Sequence, residues 1–566
     1  MRKTAYVALP LIFTLTLFTL AAAAYDAAKT GNSYASAHLP AAAIAALAKI
    51  DPEHIRAHVW FLSNDLLEGR GTGQRGGDIA AEYIAAQFWQ YGLKPAGENG
   101  SFMQKVPLVG ITPSPETQFG FVPSHGDPVQ LKPLSEYVAY DQTERTSDDI
   151  DAEVVYVGYG IEAPEYQWDD YKGMDVRGKV LLMLVNEPPS DDPGFFKGQE
   201  LTYYGRWTYK YEEAARKGAV GAILIHTADM ASYPWEVVRN SNSGEKEFLK
   251  TDAPELKAAA WIQFEVARQL AQKSGLDMAR MMADANSRNF HPVPLPLRLK
   301  AHMVSKARQI TSNNVIAMLP GSDRKLNGQA VLYTAHYDHL GVRPDMSGDN
   351  IYNGARDNAT GCGILLELAR TFAQAQARPR RSVIFASVTA EEQGLLGSEY
   401  LGKHPPIPAA NIALDLNFDD VPPLGEPQEV EVSGAERTTF YPTVEAMAKE
   451  FRLAIRPDSH PEAGHYYRSD HFSMARVGVP AFSINEGMKY IGHSAEWGME
   501  QAEEFTNKHY HQPSDEYSPG MDFRGDGAMA RFAFALGWVA GSQPIVIGWQ
   551  KGDEFEKPRF ESEGIQ

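Results

Sequence analysis

The chain holds a single cysteine, Cys362, in 566 residues, so no intrachain disulfide can staple it and no thiolate cluster can hold a metal. Its stability must come from burial, and any metal must be met by imidazoles and carboxylates. Cys362, within "ATGCGILLELAR", reads as a small buried hydrophobe rather than a nucleophile. Net positive charge is also lacking. The formal charge is −19, which argues against nucleic acid or an anionic membrane surface as a partner, since both repel an acidic surface. No low-complexity tract interrupts a composition that is 43% hydrophobic and 22% charged. The chain therefore reads as globular, and its length predicts two or three lobes rather than one core.

Long apolar runs are scarce too. The one near the start, in "MRKTAYVALPLIFTLTLFTLAAAAYDAA", follows Arg2 and Lys3, extends from Ala5 to Leu20, is broken by Pro10 and leads into alanines. That order of basic, apolar and small residues predicts a secretory signal peptide over residues 1–24. The apolar part is short for a spanning helix, and no cysteine stands at the cut to carry a lipid. The expected mature protein is exported, to the periplasm or the extracellular space, with no stable membrane insertion after cleavage.

What the sequence does have is a change of texture along its length. Residues 45–130 form a first segment, with Ala80, Ala81, Ile84, Ala85 and Phe88 at helical spacing. The Gly-rich "EGRGTGQRGG" before them lacks the Lys-Ser/Thr ending of a phosphate cradle and reads as a loop. Residues 131–300 look like a β-rich insertion, built on "AEVVYVGYGI", "GKVLLMLVNE" and "GAVGAILIHT" and free of clustered metal ligands. Residues 301–545 alternate strands such as "AVLYTAHYDHLG" and "RSVIFASVTAEE" with helices such as "ATGCGILLELARTFAQA". Residues 546–566 are left as a C-terminal tail. The alternation predicts an α/β fold with a mixed, largely parallel sheet flanked by helices, whose ligands gather beyond the carboxyl ends of the strands.

The candidate ligands fall at those ends. "TAHYDH" offers His336, Asp338 and His339, "ARDNAT" offers Asp357, and "TAEEQG" offers Glu391 and Glu392. "ALDLNFDD" offers Asp415, Asp419 and Asp420, and "NKHYHQPSDEY" adds His509 and His511. Imidazoles with carboxylates and no sulfur suit zinc, and manganese or cobalt less well. Each residue alone is more often a loop cap or a structural histidine; the joint pattern supports metal-assisted hydrolysis with a carboxylate base.

In that order, "HYDHLG", "GARDNATGCG", "TAEEQGLLGSEYL", "ALDL", "YRSDHFSMARVGVPAF" and "YHQPSDEY" make the chain resemble the co-catalytic di-zinc aminopeptidases, in the superfamily of glutamate carboxypeptidase II and the transferrin receptor. The insertion resembles a protease-associated domain. The resemblance implies two Zn2+ ions, with His336 and Asp415 completing one site, Glu392 and His511 the other, and Asp357 bridging them. Asp419 and Asp420 compete with Asp415, and His509 with His511, while His339, His471 and His493 fall to structural or supporting roles. By the same resemblance Glu391 is the general base to a metal-bridged hydroxide, Tyr466 steadies the oxyanion, Asp338 holds His336, and the Asp357–Asn358 bond is cis. The implied activity is removal of N-terminal residues from peptide substrates. The alternatives are a carboxypeptidase or dipeptidase on the same scaffold, and a glutaminyl cyclase-like enzyme. A receptor without catalysis is disfavoured because every expected ligand is present. The sequence leaves open whether the insertion overhangs the cleft, with "PWEVVRN" near Trp235 the segment that could reach it.

Overall fold

The structure is a computed structural model that describes residues 39–250, 253–343, 346–458, 460–543 and 546–564. The signal-peptide expectation for residues 1–24 lies outside them. Among the described residues no helix is long and apolar enough to cross a membrane.

One 15-stranded sheet runs through the molecule. At one end, four strands lie parallel in the order Ala481–Ser483, Ile412–Asn417, Ala330–His336 and Ser382–Val388. Three of them are buried along their whole length, as expected when helices cover both faces. The helix Gly361–Gln374 lies against one face and packs on the helix Arg524–Ser542, where Phe372 meets Phe534 with ring centroids 4.3 Å apart and Trp538 at 6.0 Å. The chain's ends finish this lobe: the helix Pro52–Leu62 contributes Ile55, Val59 and Leu62 to the same core. Trp549 and Phe555 close the core on the opposite face.

A single 27-residue strand, Val293–Leu319, links this lobe to the insertion. Its last residues pair with Ser382–Val388, its middle with Met103–Pro113, and its first residues with Gln118–Pro123 and Ser147–Tyr156. Beyond it the insertion carries its own parallel run, Ser147–Tyr156, Val180–Leu184, Gly221–His226 and Ala258–Gln263. Separate apolar clusters cover the two faces of that run. The helices Trp207–Arg216, Phe264–Lys273 and Met278–Ala285 make the insertion an α/β layer as well, more helical than its apolar runs alone predict.

Candidate metal centre

The register of the four parallel strands sets the site. His336, last residue of its strand, pairs with Val388, and Asn417 pairs with both Thr334 and Ser483, so all four strands end along one rim. Glu391 and Glu392 lie just past Val388, and Asp419 just past Asn417. Asp357 enters from the loop before the helix Gly361–Gln374, where the Asp357–Asn358 bond is cis. Gly354, at φ +57, begins that loop, and a Cβ there would collide with the Asp357 carbonyl and crowd the His339 ring.

Two groups of donors share Asp357. In the first, His336 Nε2 lies 3.3 Å from Asp357 Oδ1 and 3.1 Å from Asp419 Oδ1. In the second, His511 Nε2 lies 3.4 Å from Asp357 Oδ2 and 2.9 Å from Glu392 Oε2, while His339 Nδ1 meets Glu392 Oε1 at 2.5 Å. His336, Asp357 and Asp419, and likewise His339, Asp357 and Glu392, can each offer ligand atoms within 4.8 Å of one another. Glu391 stands beside them with Oε2 3.9 Å from His336 Nε2.

So many carboxylates in one buried place make the site electrostatically lopsided. Burial works against charge on His511, yet Glu392 and Asp357 raise its imidazole to about 10. Burial likewise opposes charge on His336, but Asp419 and Glu391 lift it well above the ordinary histidine value. Glu392 is held down at about 2 by His511 and His339 against the cost of burial. Glu391 is pushed the other way, well above the usual carboxylate range, by burial and by Asp419, Glu392 and Asp470, with His336 opposing. This centre draws in positive charge. Its donor set of imidazole nitrogens and carboxylate oxygens, with no sulfur, fits zinc.

The supports come from distant parts of the chain. His336 Nδ1 donates to the Asp338 carbonyl at 3.2 Å, with the Asp338 carboxylate at 3.7 Å. That carboxylate accepts instead from the Glu391 and Glu392 amides at 3.1 and 3.4 Å and from Thr72 at 3.2 Å. Asp515 accepts from the Arg356 and Asp357 amides at 2.9 and 3.0 Å, so it steadies the bridging loop rather than His511. Arg70, fully buried within the segment read as a plain loop, donates to the carbonyls of Tyr337, Asn353 and Gly354 at 2.7, 2.5 and 2.8 Å. Cys362 lies beneath the floor, where its Sγ contacts the His336 carbonyl at 3.0 Å and burial pushes the thiol up to about 11.

Two sequence assignments are corrected here. Asp415 is not in the cluster. It sits inside its strand, fully buried, with its oxygens 3.1 and 3.3 Å from Thr334 Oγ1, and burial holds its carboxyl well above the usual range. Asp419 takes the place beside His336 because the strand runs on to Asn417. Tyr466 is not at the centre either: its hydroxyl donates to the Ala481 carbonyl at 3.2 Å and its ring packs on His471. A phenol that lines the cavity beside the donors is Tyr510, stacked on His511 with centroids 4.0 Å apart. Burial, reinforced by Asp357, Glu392 and Glu391, keeps it protonated. His509 points away, to Ser514 at 2.9 Å.

The centre opens into a cavity of about 900 Å³ whose wall includes Ala228, Ser232 and Tyr233 of the insertion as well as Glu391 and Asp419. The insertion thus overhangs the cleft.

Paired donor groups sharing one carboxylate thus lie at the carboxyl rim of a largely parallel sheet, an arrangement able to hold two metal ions. Residues 314–536 match the model of peptidase family M28. Leupeptin-inactivating enzyme 1 of Streptomyces exfoliatus is 28% identical over 244 residues, 42% of this chain and 51% of the relative. A probable zinc metalloprotease of Pyrenophora teres f. teres is 30% identical over 164 residues, 29% of this chain and 30% of the relative. The chain thus spans about half or less of the length of these relatives. Among solved structures, an aminopeptidase from Aneurinibacillus sp. strain AM-1 covers 90% of this chain and 98% of its own at a TM-score of 0.52 and 19% identity, a likeness of fold.

Proposed function

We propose that this chain is a two-zinc metallo-aminopeptidase that removes N-terminal residues from peptides. The observation that carries this reading is the shared position of Asp357 between the His336–Asp419 pair and the His511–Glu392 pair, with Glu391 free beside them. His336, Asp357 and Asp419 would hold one zinc, and Asp357, Glu392 and His511 the other, with His339 fixing Glu392. Bound zinc would supply the Lewis acidity that activates water and polarises a carbonyl.

The chain's own residues do the rest. Glu391 is close enough to share the site yet belongs to neither donor pair, which is the position of a general base. Its carboxylate takes the proton of the attacking water and returns it to the leaving amine. Tyr510, protonated and facing the cavity, donates a hydrogen bond to the oxygen on which negative charge develops. The roof from the insertion limits the bulk that can enter, and the wall's carboxylates, among them Asp229, Glu431 and Glu462, favour a substrate with a free amine.

One observation favours the carboxypeptidase or dipeptidase reading. Arg468 lines the cavity, donates to the Ala231 carbonyl at 3.2 Å, and keeps its buried Nε without a partner. Aminoacyl-anilides assayed beside their N-acetylated forms separate the two. Cleavage confined to the free amine is expected, and equal cleavage of the blocked substrate would refute the aminopeptidase reading. Export rests on Arg2, Lys3 and the apolar run from Ala5 to Leu20; N-terminal sequencing of the mature protein, expected to begin near Tyr25, tests it.

A further inference from the structure

The inserted module does more than roof the cleft. Its short helix Trp235–Ser241 ends against the last residue of the donor set. Ser241 Oγ lies 2.8 Å from His511 Nδ1, and Asn240 Nδ2 donates to the His511 carbonyl at 3.0 Å. Neither residue is a candidate ligand, and both are 270 or more positions away in sequence.

The two contacts meet two separate needs of His511. Its Nε2 faces Glu392 and Asp357, so an imidazole that offers a lone pair there must carry its proton on Nδ1. A hydroxyl oxygen accepting from Nδ1–H selects that tautomer and fixes the ring plane. The backbone needs holding as well, because His511 sits at φ +56, a left-handed conformation that is strained for any residue but glycine. Asn240 grips that residue's carbonyl.

Asn240 is itself anchored from the metal lobe. Arg343 Nη2 donates to the Asn240 carbonyl at 2.6 Å. Gly244 leaves the space this requires, since a Cβ there would collide with the Arg343 guanidinium. A second point of attachment lies nearby, where buried Lys246 reaches the Glu392 carbonyl at 3.5 Å. The module therefore holds both residues of the His511–Glu392 pair, His511 by side chain and backbone and Glu392 by its carbonyl. It makes no comparable contact with His336 or Asp419 among the described residues.

We infer that Ser241, with Asn240, is a positioning residue for one of the two zinc ions, so that the insertion completes the His511 site and leaves the His336 site to the other lobe. The inference rests on the two-zinc reading above. The test is zinc binding to the full chain by chelator competition, with zinc as the only probe, for wild type, Ser241→Ala, Ser241→Thr and Asn240→Ala. Ser241→Ala is expected to weaken one of the two zinc ions by about 10–100-fold, to leave the other within about threefold, and to be rescued by Ser241→Thr. Asn240→Ala should weaken the same ion. A merely structural role would lower the thermal midpoint and weaken both ions together. Equal affinities in Ser241→Ala and wild type, with two zinc ions bound to each, would overturn this inference alone. A wild type that takes up no zinc, or only one, would overturn the functional reading itself and this inference with it.

Discussion

The Asp415 and Asp419 side chains, four residues apart, are predicted to behave oppositely when each is changed to asparagine. Asp419 lies 3.1 Å from His336 Nε2 at the cavity. On the two-zinc reading, removing its charge weakens a ligand, so zinc affinity at that position should fall by more than the ~10–100-fold typical of an outer supporting group. Asp415 is sealed in the sheet. Its neighbour Thr334 donates on to Asn417 Oδ1 at 2.9 Å, so Thr334 Oγ1 can accept from a protonated Asp415 or from the amide that replaces it. Zinc content in Asp415→Asn should match wild type. Stability should move as well, and its sign follows from the raised carboxyl. Because the folded form keeps its proton after the unfolded form has lost it, Asp415 costs stability progressively as pH rises above the unfolded value of about 3.9. Asparagine has no such titration. Relative to wild type, Asp415→Asn should be level near pH 3 and gain up to about 1.4 kcal/mol per pH unit above that, until the folded carboxyl ionises. Calorimetric melts between pH 4 and about 8, paired with a zinc count, read both effects. An Asp415→Asn chain that loses zinc, or an Asp419→Asn chain that keeps both ions tightly, would refute the assignment.

Further outcomes follow from the same geometry. Glu391→Gln should retain zinc while turnover falls about 10²–10⁴-fold, checked by metal analysis beside single-turnover kinetics. Tyr466→Phe should leave turnover nearly unchanged and cost about 1 kcal/mol in a melt, because only the Ala481 carbonyl loses a donor. Tyr510→Phe should lower kcat about 10²–10³-fold with little change in stability. Stripping the metal should lower the thermal midpoint, since zinc at 100 times its Kd adds about 2.7 kcal/mol to the folded state; an unchanged midpoint after chelation would contradict a cation at this centre.

Much of the α/β lobe could be read from local pattern. The alternation of apolar runs with helical periodicity located the parallel strands and put His336, Glu391 and Glu392 at their ends, whereas Asp357 and His511, which lie in loops beside helices, were singled out by the resemblance. The choice of Asp415 over Asp419 fails on strand length: the strand continues to Asn417, so the residue beyond the rim is Asp419. Tyr510 was visible, adjacent to His511 in "HYHQP", but the resemblance drew attention to Tyr466. Ser241, Asn240 and Arg70 were beyond reach for a different reason. Their roles exist only across contacts of hundreds of residues, and a serine in "RNSNSG" has no local mark that separates a histidine's partner from a loop hydroxyl.

The strand Val293–Leu319 has a mechanical consequence. Both lobes hang their ladders on one unbroken backbone, so swinging them apart like jaws would tear pairing on both flanks at once. On the aminopeptidase reading proposed above, the width of the cavity mouth, rather than a closing motion of the lobes, would then be the sieve for what enters.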